Sequence, residues 1–397
     1  MSPGEMSSAS SSPGGGGDSG RRPILFLLFC CMIPALCGFA TAADVAYAPL
    51  WEMGVGGAVS SVAISQDGVA IVAGAGSTVY FLDREGDVLW RATVGSRVNG
   101  VGISPEGSHV GVAADKLYLF DSSGNLLWTE RTTFIYHSVS LSSGAAHIAA
   151  GCDNGAIYIF DLNKEMLWDY DMGTDSYGIA ISSNGRVIAA GCEDQGVYYL
   201  NSRQGESWSY GTGKYVKGIA LSPDGRFVAA GSVDRCVYLS TGEGEHLWKY
   251  PAEDAVLSTA LTEEARTVFA ASGRSVLVLD RSGARVQTIS LDGRAESIAA
   301  TPGGSLLVIG CNDHSIHLFA RDAALHAGGS QKIAVNETGS RENPAGNVTI
   351  PAAGIAGVAA EVTPLPPDGE PSPISQILGW FEKVFNLLFR PQEDFLA

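Results

Sequence analysis

The sequence predicts an all-β chain folded as a seven-bladed β-propeller of four-stranded blades, with an N-terminal hydrophobic helix and a C-terminal amphipathic helix. Three observations carry this. Tryptophans stand at 51, 90, 128, 168, 208 and 248, with gaps of 39, 38, 40, 40 and 40 residues, the period of a propeller blade. The phrase that ends on them recurs as DREGDVLW (83–90), DSSGNLLW (121–128) and, more loosely, DLNKEMLW (161–168), while a seventh copy, DRSGARVQ (280–287), puts Gln287 in the tryptophan's place. Within one unit, Val216 to Trp248, four short strand signals follow one another. VKGIALS stops at the turn Pro223-Asp224-Gly225, and FVAAG, CVYL and the strand of Trp248 each come after a turn of their own. Strands this short, punctuated by turn residues, indicate all-β structure.

The bulk numbers agree with one large turn-rich domain. A propeller uses most of the 397 residues, and the 50 glycines suit its many turns. A formal net charge of −17 argues against a nucleic-acid or anionic-lipid partner held by bulk electrostatics. Of the seven cysteines, Cys30, Cys31 and Cys37 fall in an N-terminal apolar run and four lie in the repeats.

In chain order, residues 1–22 are Ser/Gly-rich and read as disordered. Arg21 and Arg22 precede an uncharged stretch, 23–43, which reads as a secretory signal peptide or as an uncleaved membrane anchor. Either way the repeats are expected outside the cytoplasmic membrane. The propeller is expected over 48–322. Its apolar inner strands are 59–65, 98–104, 136–142, 176–182, 216–222, 256–262 and 295–301, and its second strands end in small residues such as Ala229-Ala230-Gly231. Those endings suit the place where neighbouring blades approach most closely, and strands covered on both faces lose strict alternation. The seventh unit ends at Phe319 without a fourth strand, while an orphan Leu50-Trp51-Glu52-Met53 precedes the first. The N-terminal piece is therefore expected to supply the outer strand of the last blade and close the ring.

Beyond the repeats, 323–372 reads as a flexible linker, with Asn336 and Asn347 in N-glycosylation triplets. Ser372-Pro373 starts an amphipathic helix over 373–391. Its wide apolar face across 374–389 docks on the propeller, on a partner or on a membrane surface.

The units resemble two propeller families. The stretches Gly231 to Leu239 and Gly310 to Phe319 look like the second half of a WD repeat. The Asp…Gly…Leu-Trp phrase looks like the PQQ-like quinoprotein repeat, in which the outer-strand tryptophan docks on the next blade. Trp51, Trp90, Trp128, Trp168, Trp208 and Trp248 are accordingly structural. No Gly-His pair opens the WD-like units, so Asp194, Asp234, Asp313 and Asn154 read as turn-stabilising side chains. The vicinal cysteines of quinoprotein enzymes have no counterpart in the repeats, and no cofactor is expected. Cys152, Cys192 and Cys311 share one repeat position, too widely spaced for disulfides, which asks for a small buried side chain.

No nucleophile, phosphate-loop or metal-ligand signature appears. Comparison of the units is more informative. The second inner-strand position reads Ser60, Asn99, His137, Tyr177, Lys217, Leu257 and Glu296, and two residues earlier stand Ala58, Arg97, Ile135, Asp175, Tyr215, Ala255 and Arg294. These vary within a repetitive frame, around one mouth of the channel. Arg97, His137, Tyr177, Tyr215, Lys217, Arg294 and Glu296 are therefore the expected partner-binding surface. The function read from this is a non-catalytic scaffold for a protein partner, with an envelope-assembly or ligand-sensing propeller as the alternative. A metal-dependent enzyme ranks third and would draw on Asn99, His137, Asp175 and Glu296.

Overall fold

Each repeat is an antiparallel meander of four strands, and seven such sheets are present in a computed structural model that describes residues 46–202, 205–321, 331–333 and 348–349. The segments expected over 1–22, 23–43 and 373–391, and both Asn336 and Asn347, lie outside the described residues. Among the described residues no helix is long and apolar enough to cross a membrane.

Blades are numbered here from the sheet that starts at Val59. Their inner strands are Val59–Ile64, Gly100–Ile103, Tyr136–Leu141, Ser176–Ile181, Val216–Leu221, Val256–Leu261 and Ala295–Ala300. The second strands, such as Phe227–Ser232 and Leu306–Cys311, are buried along their whole length. Two neighbouring sheets cover them, which is why their sequence runs apolar without alternation. The small residues are required by that contact: a Cβ on Gly231 would stand 2.5 Å from Val256 Cγ1 of the next blade. The apolar clusters accordingly bridge neighbouring sheets, as where Trp51 and Ile316 pack with Val59 and Ile71.

The ring closes as expected. Tyr47–Gly54 pairs antiparallel with Ser315–Arg321, from Tyr47 opposite Arg321 to Gly54 opposite Ser315, and becomes the outer strand of blade 7. Five of the six tryptophans of the repeats then make one recurring contact, the indole N–H donating to a turn carbonyl of the next blade. Trp51 reaches Arg84 O at 2.9 Å, Trp90 Ser122 O at 2.9 Å, Trp128 Leu162 O at 2.9 Å, Trp208 Gly242 O at 2.8 Å and Trp248 Arg281 O at 2.9 Å. The Nε1 of Trp168 has no partner among the described residues. The glycine of the recurring phrase is the tryptophan's seat: Gly124 has φ +86°, and a Cβ there would lie 2.9 Å from Trp90 Cγ.

Every outer strand is also bulged next to its tryptophan position, with register shifts such as Phe81/Leu82 against Val88 and Trp90. The extra residue turns outward, which exposes Leu89, Leu127, Leu167, Leu247 and Val286. A bulge on an edge strand blunts it against unwanted pairing. Two pieces of the expected linker nevertheless pair: 331–333 run parallel to Trp51–Met53, and 348–349 to Ala92–Thr93. Edge strands offer unpaired backbone groups, which these two short pieces meet.

The turn after each inner strand shows a device that strand patterns do not reveal. Its Ser or Thr is buried and accepts the backbone N–H five residues on, as Ser65 does from Ala70 (3.0 Å) and Ser222 from Phe227 (3.0 Å). Ser65 in turn donates to Asp67 Oδ1 at 2.5 Å. Hydroxyl donation from Ser65 holds Asp67 below the ordinary carboxylate range, and Ser282 does the same for Asp280 in an outer turn. A carboxylate with a depressed native pKa contributes fully above its unfolded pKa, about 3.9, and loses that contribution as pH falls through the native value. Thermal midpoints should thus be level above about pH 5 and fall below about pH 4. Asp280→Asn should make that acid fall shallower in a pH series of melting curves.

Candidate functional site

What aims side chains into the channel is a second set of bulges. In six inner strands one residue is extra relative to the second strand: Ser60, His137, Tyr177, Lys217, Leu257 and Glu296 each sit at a register shift. In blade 2, Asn99 donates its N–H to Ala113 O at 2.9 Å while Gly100 is opposite the same residue. A bulge re-aims the side chain that carries it. All seven of these residues line one axial cavity of about 450 Å³.

The cavity, called the cup below, is bridged at one end. At its far end the turns after the inner strands meet: Gln66 N donates to Pro105 O (2.8 Å), Ser183 N to Pro223 O (2.9 Å) and Glu263 N to Pro302 O (2.8 Å). Gln66 Nε2 also donates to Ser183 Oγ at 2.8 Å, joining blade 1 to blade 4 across the axis.

Of the expected site residues, Arg97, His137, Tyr177, Lys217 and Glu296 line the cup. Tyr215 and Arg294 do not. With Arg97 they belong to the register two residues ahead of the bulge, but they lie outside the lining, on the rim. Tyr215 is 37% exposed, its ring 5.9 Å from that of Tyr177 at 57°. Tyr177 in turn stands 5.3 Å from His137 at 61°, so blades 3, 4 and 5 share an aromatic wall. Arg294 Nε donates to Glu296 Oε1 at 2.8 Å, and its Nη2 also contacts that oxygen. The residues of the metal reading divide: Asn99, His137 and Glu296 line the cup and Asp175 does not. Asn99 Nδ2 is committed to Tyr136 O at 2.9 Å. Among the described residues no group of three or more His, Cys, Asp or Glu side chains is placed to hold a metal ion.

Sequence comparison missed the walls. The third inner-strand position holds only Ser or Gly: Ser61, Gly100, Ser138, Gly178, Gly218, Ser258 and Ser297. Where it is serine, three of the four hydroxyls accept an N–H from the next blade: Val101 to Ser61 (3.0 Å), Ile298 to Ser258 (3.1 Å) and Val62 to Ser297 (3.0 Å). Where it is glycine, the neighbouring backbone comes close, and a Cβ on Gly178 would stand 2.6 Å from Lys217 O. That restriction to two small residues was a readable signal.

The other singled-out residues belong to the frame. Asp194 accepts from Gly196 N (2.8 Å) and Tyr198 OH (2.6 Å), Asp234 from Cys236 N (3.0 Å) and Gly213 N (2.9 Å), and Asp313 from Ser315 N (3.2 Å). Asn154 caps its turn through Ala156 N at 3.1 Å. Cys152, Cys192, Cys236 and Cys311 are buried free thiols. Burial pushes the first three up from the ordinary thiol range and Cys311 to about 12, which removes the thiolate that reactivity needs.

A family model described as outer membrane protein assembly factor BamB matches residues 41–207 and, in a second overlapping match, residues 193–324. No curated protein matches the chain.

Proposed function

The chain belongs to the BamB-like family of PQQ-repeat propellers, and from that premise we propose that it is a non-catalytic scaffold that holds a protein partner against the mouth of its channel. The observation that carries this is the bulge in each inner strand. The frame repeats in all blades, yet at the bulge each blade presents a different residue to one shared opening. Aromatic and arginine side chains clustered at the centre of a face are what protein contacts draw their energy from. The matched family is described by an assembly role, and an assembly role in a cell envelope is the form of scaffold that fits here. The Arg21-Arg22 pair ahead of an uncharged 23–43 supports a propeller on the outer side of the cytoplasmic membrane.

A photo-cross-linking residue placed at Tyr215 or Lys217 tests the reading in native membranes. The expected result is one shared adduct from both positions, identified by mass spectrometry, and none from Arg226 in the turn at the opposite end. Triple substitution of Arg97, Tyr215 and Lys217 by alanine should weaken capture of the same partner. Equal adducts from both ends of the ring would end the proposal. Metal retained by the purified protein would turn attention back to the enzyme reading.

A further inference from the structure

The cup holds two cations that the fold does not use. The ion pairs among the described residues are Lys164–Glu130, Lys249–Asp234, Arg266–Glu264 and Arg294–Glu296, and neither Arg97 nor Lys217 takes part in one. Arg97 stands on the approach to the inner strand of blade 2 and Lys217 on the bulge of blade 5. Three steps around a seven-membered ring set them facing each other over the opening. Between them, on blades 3 and 4, runs the wall of His137 and Tyr177, continued by Tyr215. Glu296, the acidic residue of the lining, is neutralised by Arg294. The rim carboxylates lie outside that lining: Asp153 accepts Ile135 N at 2.9 Å, Asp194, Asp234 and Asp313 cap turns, and Asp175 and Glu193 act on Tyr177 from the rim. What the cup has in surplus is charged donors. A guanidinium and an ammonium bind carboxylates through charge-assisted hydrogen bonds, the strong class.

We propose that the cup receives the acidic tip of a partner's protein segment, its carboxylate gripped between Arg97 and Lys217 and an adjoining apolar side chain packed on His137, Tyr177 and Tyr215. This rests on the scaffold reading and names the chemistry of what the mouth recognises. The chain-wide charge of −17 repels anions at long range. Selectivity therefore comes from contact rather than steering, and survives physiological salt, whose screening length is about 8 Å.

The test is fluorescence anisotropy of the full chain at about 0.15 M salt with fluorescein-labelled Gly-Gly-Glu-Leu-Glu-Gly-Gly and its Gln-Leu-Gln counterpart. Wild-type protein should bind the glutamate peptide at least about tenfold more tightly, the effect of one charge-assisted contact. Arg97→Gln with Lys217→Gln should erase that preference, whereas the charge-preserving pair Arg97→Lys with Lys217→Arg should keep most of it. Lys116→Gln with Lys214→Gln removes two cations from the same end, outside the cup lining, and should change nothing. Equal binding of both peptides by the wild type, or a preference retained after Arg97→Gln and Lys217→Gln, overturns the proposal. Displacement by free glutamate at matching concentration overturns the protein source of the carboxylate. If the Tyr215 cross-link to the partner persists undiminished in the double glutamine variant, the carboxylate grip is wrong and the scaffold reading still stands.

Discussion

Deleting residues 46–54 should leave a chain with no cooperative unfolding transition. That strand supplies Tyr47, Trp51 and Met53, each 5% exposed or less, to the seam between blade 7 and its neighbours. It also pairs with Ser315–Arg321 and carries the Trp51 contact to Arg84. Truncating one buried Trp or Met side chain to alanine costs about 2–5 kcal/mol. Losing both, with the ladder, approaches the whole stability of about 5–15 kcal/mol that a folded domain has. The loss should come from geometry and not from composition, and a permutation separates the two. A chain that starts at Val55 and carries residues 46–54 after Arg321 through a short Gly-Ser linker should recover one sharp melting transition. If the deletion variant itself melts sharply within a few degrees of the intact chain, closure by this strand is dispensable and the argument fails.

The same strand shows what a sequence makes legible. Leu50-Trp51-Glu52-Met53 could be placed from sequence because seven repeat units supply their own reference, and an orphan at one end matches a gap at the other. The inner strands were legible for the same reason. Bulges were not, because a bulge is a mismatch of count between two strands and neither strand alone contains it. Repeat position alone also does not separate Arg97 from Tyr215: the two are equivalent there, yet one lines the cup and the other lies outside it. The hydroxyls of Ser61, Ser258 and Ser297 were hidden differently. Serine in an apolar run reads as a surface residue until its partner on the next blade is known. Variation among repeats marked the mouth, but the surplus of cations there could be seen only after Glu296 was found tied to Arg294.

Restoring the repeat at its one exception should weaken the protein. Gln287→Trp gives the outer strand of blade 6 the residue that every other blade carries, and a consensus argument would expect a gain. The structure gives the opposite sign. In other blades the indole N–H meets a turn carbonyl between the third and outer strands of its neighbour. Blade 7 has no such turn, because its outer strand arrives from the N-terminus. In its place is the backbone of Tyr47, which offers both a donor and an acceptor. The amide of Gln287 answers both: Tyr47 N donates to Oε1 at 2.8 Å and Nε2 donates to Tyr47 O at 3.0 Å. The tyrosine is pinned further by its hydroxyl on Gly304 O (2.6 Å) and its ring edge-on to Phe269 (5.2 Å, 86°), so it cannot shift to accommodate an indole. An indole only donates. It would remove the Gln287 acceptor from the Tyr47 N–H, at about 1–3 kcal/mol, and overfill the seam at a similar cost. For a domain of this size that total of roughly 2–6 kcal/mol lowers the melting temperature by several degrees or more. Gln287→Ala, which loses the hydrogen bonds without the bulk, should fall between Gln287→Trp and the wild type. A Gln287→Trp protein that melts higher than the wild type would show that the amide is an accident of drift; one that melts lower identifies it as the clasp of the ring.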